Sequence, residues 1–396
     1  MGLRAILIIV RPTGDHFLTD ACLQPERNNM SEALKIGFYT AGVPFEGDAL
    51  ERGGGLGGSE TAFIQVARAL ARRGHQVIAF NTCERPGEYE GVTYHSFSDS
   101  LPILASEHFD VFVVSRYSAF FNLPFSAGLK VLWNHDTLDN PKELRQVHDE
   151  IDLFLVLSNF HKDNYLLRLP QIDDRLVLTR NGLDFDLLDQ ASSGRRDPNK
   201  LIYASRPERG LKTLLESIWP RLYRWNPDLR LYICGYQITL AGLPPQLEEL
   251  YRQVNYLLES VPGLEILGGL AKPDYYRHLS ESVLMLYPSV FPEVSCIAAL
   301  ESQALGVPVL TSDAFALSET VVTPTTLVGG RPGSEQYVND YVERAISLLS
   351  NREEVSRLGE RARGEIRGRY GWDKIAEEWD RLFSLNLRAK ARSYNY

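Results

Sequence analysis

LMLYPSVFPEVSCIAALESQALGVPVLTSD, residues 284–313, decides the fold. Its first four residues are all apolar or aromatic, as a strand covered on both faces requires. A sharp loop follows, punctuated by Pro288 and Pro292. Residues 295–305 read as an almost wholly apolar helix, and such a helix is buried on most sides. Gly306 suits its end, because glycine tolerates the left-handed conformation there. Residues 307–312 form a second strand, so the unit is strand, helix, parallel strand. Two carboxylates interrupt it: Glu293 in the loop and Glu301 in the helix. A carboxylate in apolar surroundings is costly unless paired or solvated. A ligand with several hydroxyls could engage both.

The same pattern runs outward in both directions. Residues 34–41 (LKIGFYTA) read as a strand, followed by a long loop ending in GGGLGGSE (53–60). The helix 61–73 carries an apolar stripe at Ala62, Phe63, Val66, Ala67 and Leu70. Gly74 stops it and residues 76–81 form the next strand. Further strands are expected at 110–115, 129–133, 152–158 and 176–179. The polar stretch 189–200 (DQASSGRRDPNK) reads as a domain linker. A second series places strands at 201–205, 229–234, 264–267, 283–287, 308–312 and 326–328. Helices are expected at 245–259, 275–282, 334–349, 352–367 and 372–387. At 396 residues the chain exceeds one ordinary core. The expected fold class is α/β, with two doubly wound Rossmann-like domains. The expected bounds are 30–190, 191–371, and a C-terminal helix in 372–396. Residues 3–10 could form a strand and 12–29 show no clear period, so 1–29 read as an extension of uncertain order, with Met30 a candidate natural start.

The net charge of −9 argues against a general nucleic-acid or anionic-membrane binder. The four cysteines lack metal-ligand spacing and suit a reducing compartment. No apolar run is long enough to span a bilayer, and residues 5–10 are too short for a signal-peptide core. A cytoplasmic setting is expected.

Several motifs could carry chemistry. Gly53, Gly55 and Gly58 match GxGxxG, but about a dozen residues separate them from the preceding strand. The second strand also lacks the acidic ribose-binding residue, so a dinucleotide site is disfavoured. What remains is Gly57 and Gly58 opening a helix, whose free N–H groups favour anions. Arg206 and Arg209 follow the strand 201–205, where guanidiniums suit a diphosphate. Lys212 is a weaker third candidate. His135 follows another buried strand in WNHD. His161 and Lys162 read as scaffold. Asp184-Phe185-Asp186 formally matches a metal-binding DxD, but its place in a loop near the domain boundary favours a structural role. No HExxH, CxxC, P-loop or GxSxG is present.

Together the motifs resemble the family-four retaining glycosyltransferases of the GT-B fold (glycosyl transferases group 1). GGLGGSE is similar to the family's glycine loop, LWNHD to its histidine loop and RNGLD to its PNG-x-D segment. SRPERGLKTLLES resembles its Arg…Lys-Gly segment, and Glu293 to Glu301 matches E-x7-E. The resemblance runs from Leu34 to Phe383. It implies two domains facing a cleft, the last helix crossing back to the first. It implies a nucleotide diphosphate sugar (UDP- or GDP-sugar) as donor, a hydroxyl acceptor, and no metal or other cofactor. By position, Arg206 and Arg209 would bind the diphosphate and Glu301 the ribose. Glu293 would hold the donor sugar with the backbone N–H groups of Ser295, Cys296 and Ile297, and His135 would touch that sugar from the first domain. Departures are Arg209 in place of the usual lysine, a shorter loop after Arg206, and Val294-Ser295-Cys296 where glycines are usual. A sugar-nucleotide epimerase of the same fold is the alternative, and an NAD-dependent oxidoreductase a weaker one. Arg68, Arg72 and Arg73 could meet an anionic membrane, though a solvated helix end is the simpler reading. The base, the sugar, the acceptor and the oligomeric state stay open.

Overall fold

The computed structural model describes residues 32–52, 56–192, 195–235 and 243–393. The extension 1–29 and the glycines Gly53 and Gly55 lie outside the described residues.

The first sheet has eight strands: β1 Lys35–Thr40, β2 Gln76–Asn81, β3 Gly87–Tyr89, β4 Val92–Ser96, β5 His108–Ser115, β6 Ser126–Trp133, β7 Leu153–Val156 and β8 Leu176–Leu178. Their spatial order is β3-β4-β2-β1-β5-β6-β7-β8, and only β3 with β4 is antiparallel. Alternate residues feed two cores. Phe38, Val113 and Trp133 join one, while Tyr39, Phe112 and Leu132 join the other. Helices cover both faces, which is why these strands read as continuous apolar runs. The β3–β4 hairpin was not expected. Glu90 and Gly91, at φ +50° and +77°, turn it, and its short polar strands lack the apolar run that marks the others.

The second sheet has six parallel strands: β9 Lys200–Ala204, β10 Arg230–Cys234, β11 Leu264–Gly268, β12 Leu284–Tyr287, β13 Val309–Ser312 and β14 Leu327–Val328. Their order is β11-β10-β9-β12-β13-β14.

The crossing between domains corrects one expectation. The sequence pattern places residues 185–190 in the first domain and 189–200 in a linker. The helix Phe185–Ala191 instead carries Leu188 into the second core, beside Leu183. The chain therefore crosses before Leu183, and the apolar Leu188 sets that boundary. The return crossing lies alongside. Leu183 N–H donates to the Tyr370 carbonyl at 2.6 Å, and Arg180 bonds Glu378 at 2.5 Å. The last helix, Trp372–Ser393, buries Trp372, Ile375, Trp379 and Phe383 in the first core.

In each sheet the strand order reverses beside the first strand, at β1/β5 and at β9/β12. Loops diverge there and leave a crevice at the carboxyl ends of the strands. The two crevices share one cleft of about 810 Å³.

Candidate active site

The second-domain wall is built on β9 and β12. After β9 comes a single turn, Pro207–Arg209, ended by Gly210 at φ +115°. A β-carbon at Gly210 would stand 2.1 Å from the Pro288 carbonyl oxygen, so only glycine lets this turn approach the loop after β12. The turn delivers Arg209 to Glu293. One guanidinium nitrogen, Nη1, donates to both carboxylate oxygens, at 2.7 and 3.0 Å. The guanidinium also lies 4.3 Å from the centroid of the Phe291 ring. Glu293 is 3% exposed and accepts a second hydrogen bond from the Tyr287 hydroxyl. Burial pulls the Arg209 pKa down, but Glu293 and its neighbours push it above its ordinary value. Arg206 lines the same cleft, with its side chain half exposed.

Glu301 is 2% exposed on the helix Ile297–Ala304. The Tyr276 hydroxyl donates to it at 2.8 Å, and the Lys272 ammonium bonds the same oxygen. Lys272 was not singled out from sequence. It opens the helix Lys272–Ser280 after the loop that follows β11, and no motif marks it. Lys212, the weaker candidate, pairs with Glu216 at 2.7 Å instead and does not line the cleft. Ser295, Cys296 and Ile297 line the cleft where the Glu301 helix begins. First-turn N–H groups have no partner within a helix. Burial pushes the Cys296 thiol well up and the Cys234 thiol to about 11, so both are protonated at neutral pH.

The first-domain wall starts at Gly57 and Gly58, where the helix Gly58–Arg72 begins. A β-carbon at Gly58 would lie 3.2 Å from Ile297 Cδ1 of the second domain, so the walls nearly touch there. The expectation of a bare anion-binding helix start needs correcting. The Glu60 carboxylate folds back toward Gly57 and accepts from Ser59 Oγ at 3.0 Å. A negative charge in the first turn already answers the helix dipole.

His135 follows β6 and lines the cleft with Arg209, Glu293 and Glu301. Its ring lies 4.2 Å from Trp133, and Nε2 is buried without a partner. Burial, then the nearby Arg116 charge, lowers its pKa well below the ordinary range, so the imidazole is neutral. Arg116 was also missed by sequence. It sits directly after β5 in the left-handed region, at φ +71°. It donates to Asp136 at 2.6 Å and to Ser59 Oγ at 3.1 Å. Non-glycine residues held there store strain and collect at functional sites. A side pocket of about 320 Å³ opens beside it, lined by Asn134, Asp136, Asp139 and Glu143.

Other candidates fall outside the site. Asp184 caps the helix Phe185–Ala191 by accepting from Leu187 N at 3.0 Å, which explains the DxD match. His161 is fully buried, with Nδ1 accepting from Leu157 N and Nε2 near the Asp136 carbonyl. The three arginines weighed for membrane contact are all paired: Arg68 with Glu51, Arg72 with Asp373 and Arg73 with Asp380. Their charge serves the packing of the helix Gly58–Arg72 against its neighbours. Among the described residues no helix is long and apolar enough to cross a membrane.

This arrangement can hold an elongated anionic ligand: cations line one wall, and a neutral imidazole faces them. Residues 185–365 match the model of the family described as glycosyl transferases group 1. A curated relative, the lipopolysaccharide 1,2-N-acetylglucosaminetransferase of Salmonella typhimurium, is 25% identical over 239 residues, 57% of this chain. The match spans 60% of that relative's length. A solved glycosyltransferase from Rickettsia africae superposes with a TM-score of 0.67 at 16% identity, over 90% of this chain and 99% of that one. Anabaena Alr3699/HepE, solved with UDP and glucose, gives 0.65 at 15% identity, over 89% and 99%. Over residues 185–365 the chain is similar to the glycosyl transferases group 1, and the whole described chain has the GT-B fold of these solved structures.

Proposed function

From this similarity and the geometry of the cleft we propose that the chain is a retaining glycosyltransferase. It would move a sugar from a UDP- or GDP-sugar to a hydroxyl acceptor, without a metal, in glycan, polysaccharide or glycolipid synthesis. One observation carries the reading. Two buried carboxylates, each already bonded to a cation, share a cleft with Arg206 and the neutral His135. The named relatives point the same way: one transfers N-acetylglucosamine, and one was solved with UDP and glucose.

The roles follow from the contacts. Departure of the diphosphate builds negative charge beside Arg206 and Arg209, where fixed cations stabilise it most. Positive charge develops on the sugar ring, next to Glu293. Glu293 accepts from Arg209 and Tyr287, so it serves as a fixed acceptor for sugar hydroxyls and a charge partner, not a nucleophile. Glu301 is held for the ribose by Lys272 and Tyr276.

The side pocket favours a neutral acceptor. Asp136, Asp139 and Glu143 there outnumber Arg116, whose guanidinium already meets Asp136. Asn134 Nδ2, buried without a partner, needs an acceptor atom. A hydroxyl can donate to the carboxylates and accept from Asn134, whereas a phosphate would meet repulsion.

The test is incubation of the purified protein with UDP-, GDP- and ADP-sugars, with and without simple alkyl glycosides, in EDTA. Slow donor cleavage, raised by glycosides and with the anomeric configuration kept, is expected. Interconversion of sugar-nucleotide isomers without acceptor would support the epimerase instead. Cleavage of none of the donors would reject the reading.

A further inference from the structure

The two walls are joined by a further contact besides the chain crossings. The helix Asn159–Arg168 belongs to the first domain and is capped by Ser158. Its first N–H groups leave that domain for a partner. Asn159 N, Asn159 Nδ2 and Phe160 N donate to the Glu319 carboxylate at 2.7, 2.9 and 2.8 Å. Glu319 stands on the short second-domain helix Leu317–Thr320. Beside it the Phe160 and Phe315 rings meet edge to face, centroids 5.5 Å apart. Phe315 holds φ +57°, a conformation that a β-carbon makes costly.

Both ends of this contact are wired to the site. On the second domain, Ala316 N donates to the Glu293 carbonyl at 3.0 Å. Gln303, on the Glu301 helix, donates to the Thr320 carbonyl and accepts from Val322 N. On the first domain, His161 Nδ1 accepts from Leu157 N, which leaves Nε2 to donate to the Asp136 carbonyl at 2.9 Å. Asp136 follows His135. Glu293 and His135 are thus linked through one carboxylate across the cleft.

We propose that Glu319 is a positioning residue, which fixes the separation of the two walls by gripping the start of the helix Asn159–Arg168. A carboxylate suits the task because it accepts from several N–H groups at the positive end of a helix dipole. The contact is solvent-exposed, so water and salt compete with it and it can release when the cleft must open. The activity part rests on the transferase reading; the structural part does not.

The experiment uses Glu319→Ala, Asn159→Asp and the double variant Glu319→Gln/Asn159→Asp. Asn159→Asp sets a second carboxylate against Glu319, and the double variant replaces that repulsion with an amide–carboxylate bond. Small-angle scattering on the full chain without ligand reads the domain separation. A larger radius of gyration is expected for both single variants, with partial return in the double variant and unchanged melting temperatures. UDP is the binding probe, because its expected contacts lie on the second wall. Its Kd should hold while transfer falls about tenfold, the loss of one charge-assisted contact. Unchanged radius and turnover in both single variants would overturn the proposal, as would weaker UDP binding in parallel with lost stability. If the wild type cleaves no sugar nucleotide, the transferase reading fails, and scattering still decides the role of Glu319.

Discussion

The second-domain wall of the cleft and the side pocket in the first-domain wall handle charge in opposite ways. On the second domain each acid is buried and matched to a cation: Glu293 with Arg209, Glu301 with Lys272. On the first domain the carboxylates of Asp136 and Asp139 are exposed, and Arg116 is the one cation among the residues that line the side pocket. A buried pair keeps its geometry because breaking it strands a charge. An exposed carboxylate keeps its options, because water can replace a partner. Under the proposed transferase reading, the first kind of wall suits one fixed anionic donor and the second suits varied hydroxyl acceptors.

Arg209→Ala attacks the fixed wall most directly. It strands Glu293 and should lower stability by about 3–5 kcal/mol. Transfer should fall by about 10²–10³, the size of a lost charge-stabilising group. Chemical denaturation and steady-state rates check both, and near-wild-type rates would end the assignment of the second wall.

Acid tests the interior behind the other wall. Burial pushes the His161 pKa down to about 4, and His135 and His75 are lowered too, again chiefly by burial. Unfolded histidines titrate near 6.5, so below that pH the unfolded state binds protons that the folded state refuses. Stability is therefore full above about pH 6.5 and falls as pH drops, with His161 alone contributing about 2 kcal/mol of loss by pH 5. Urea midpoints at pH 7 and pH 5 measure it, and a midpoint that holds or rises would contradict this burial.

Lys272→Met keeps the apolar stem but removes the charge beside Glu301. Donor KM should rise about tenfold, with kcat less affected, since the ribose contact is made in ground and transition states alike. Equal losses in both constants would move Lys272 to the reacting centre.

Gly58→Ala probes where the walls touch. The new methyl meets Ile297 Cδ1, and transfer should drop by a few-fold, about 1 kcal/mol. Adding Ile297→Val should restore it; no restoration would mean that the clash lies elsewhere. Arg72→Ala, which removes an exposed pair with Asp373, should change stability by less than about 1 kcal/mol. It should leave vesicle binding unaltered, and binding lost with that charge would revive the membrane reading.

Legibility followed apolar pattern and motif. The strands buried on both faces were readable because each needs an unbroken apolar run: β2 was found to the residue and β12 to within one. The β3–β4 hairpin was not, because short edge strands carry no such run. Glu293, Glu301, Arg209 and His135 stand in recognisable motifs. Arg116, Lys272 and Glu319 do not, because each gains its role from a partner distant in the chain.

The sequence by itself determined the two α/β domains, the glycine-opened helix and the two glutamates, since local spacing and burial pattern suffice for these. Tertiary structure alone decided which charges meet. It brought Arg209 to Glu293, Lys272 to Glu301 and Glu319 to Asn159, and it folded Glu60 over the glycine turn. The physical reason is range. A strand or helix is specified by neighbours a few residues away, whereas an ion pair is specified by distance in space, and that exists only once both sheets have packed.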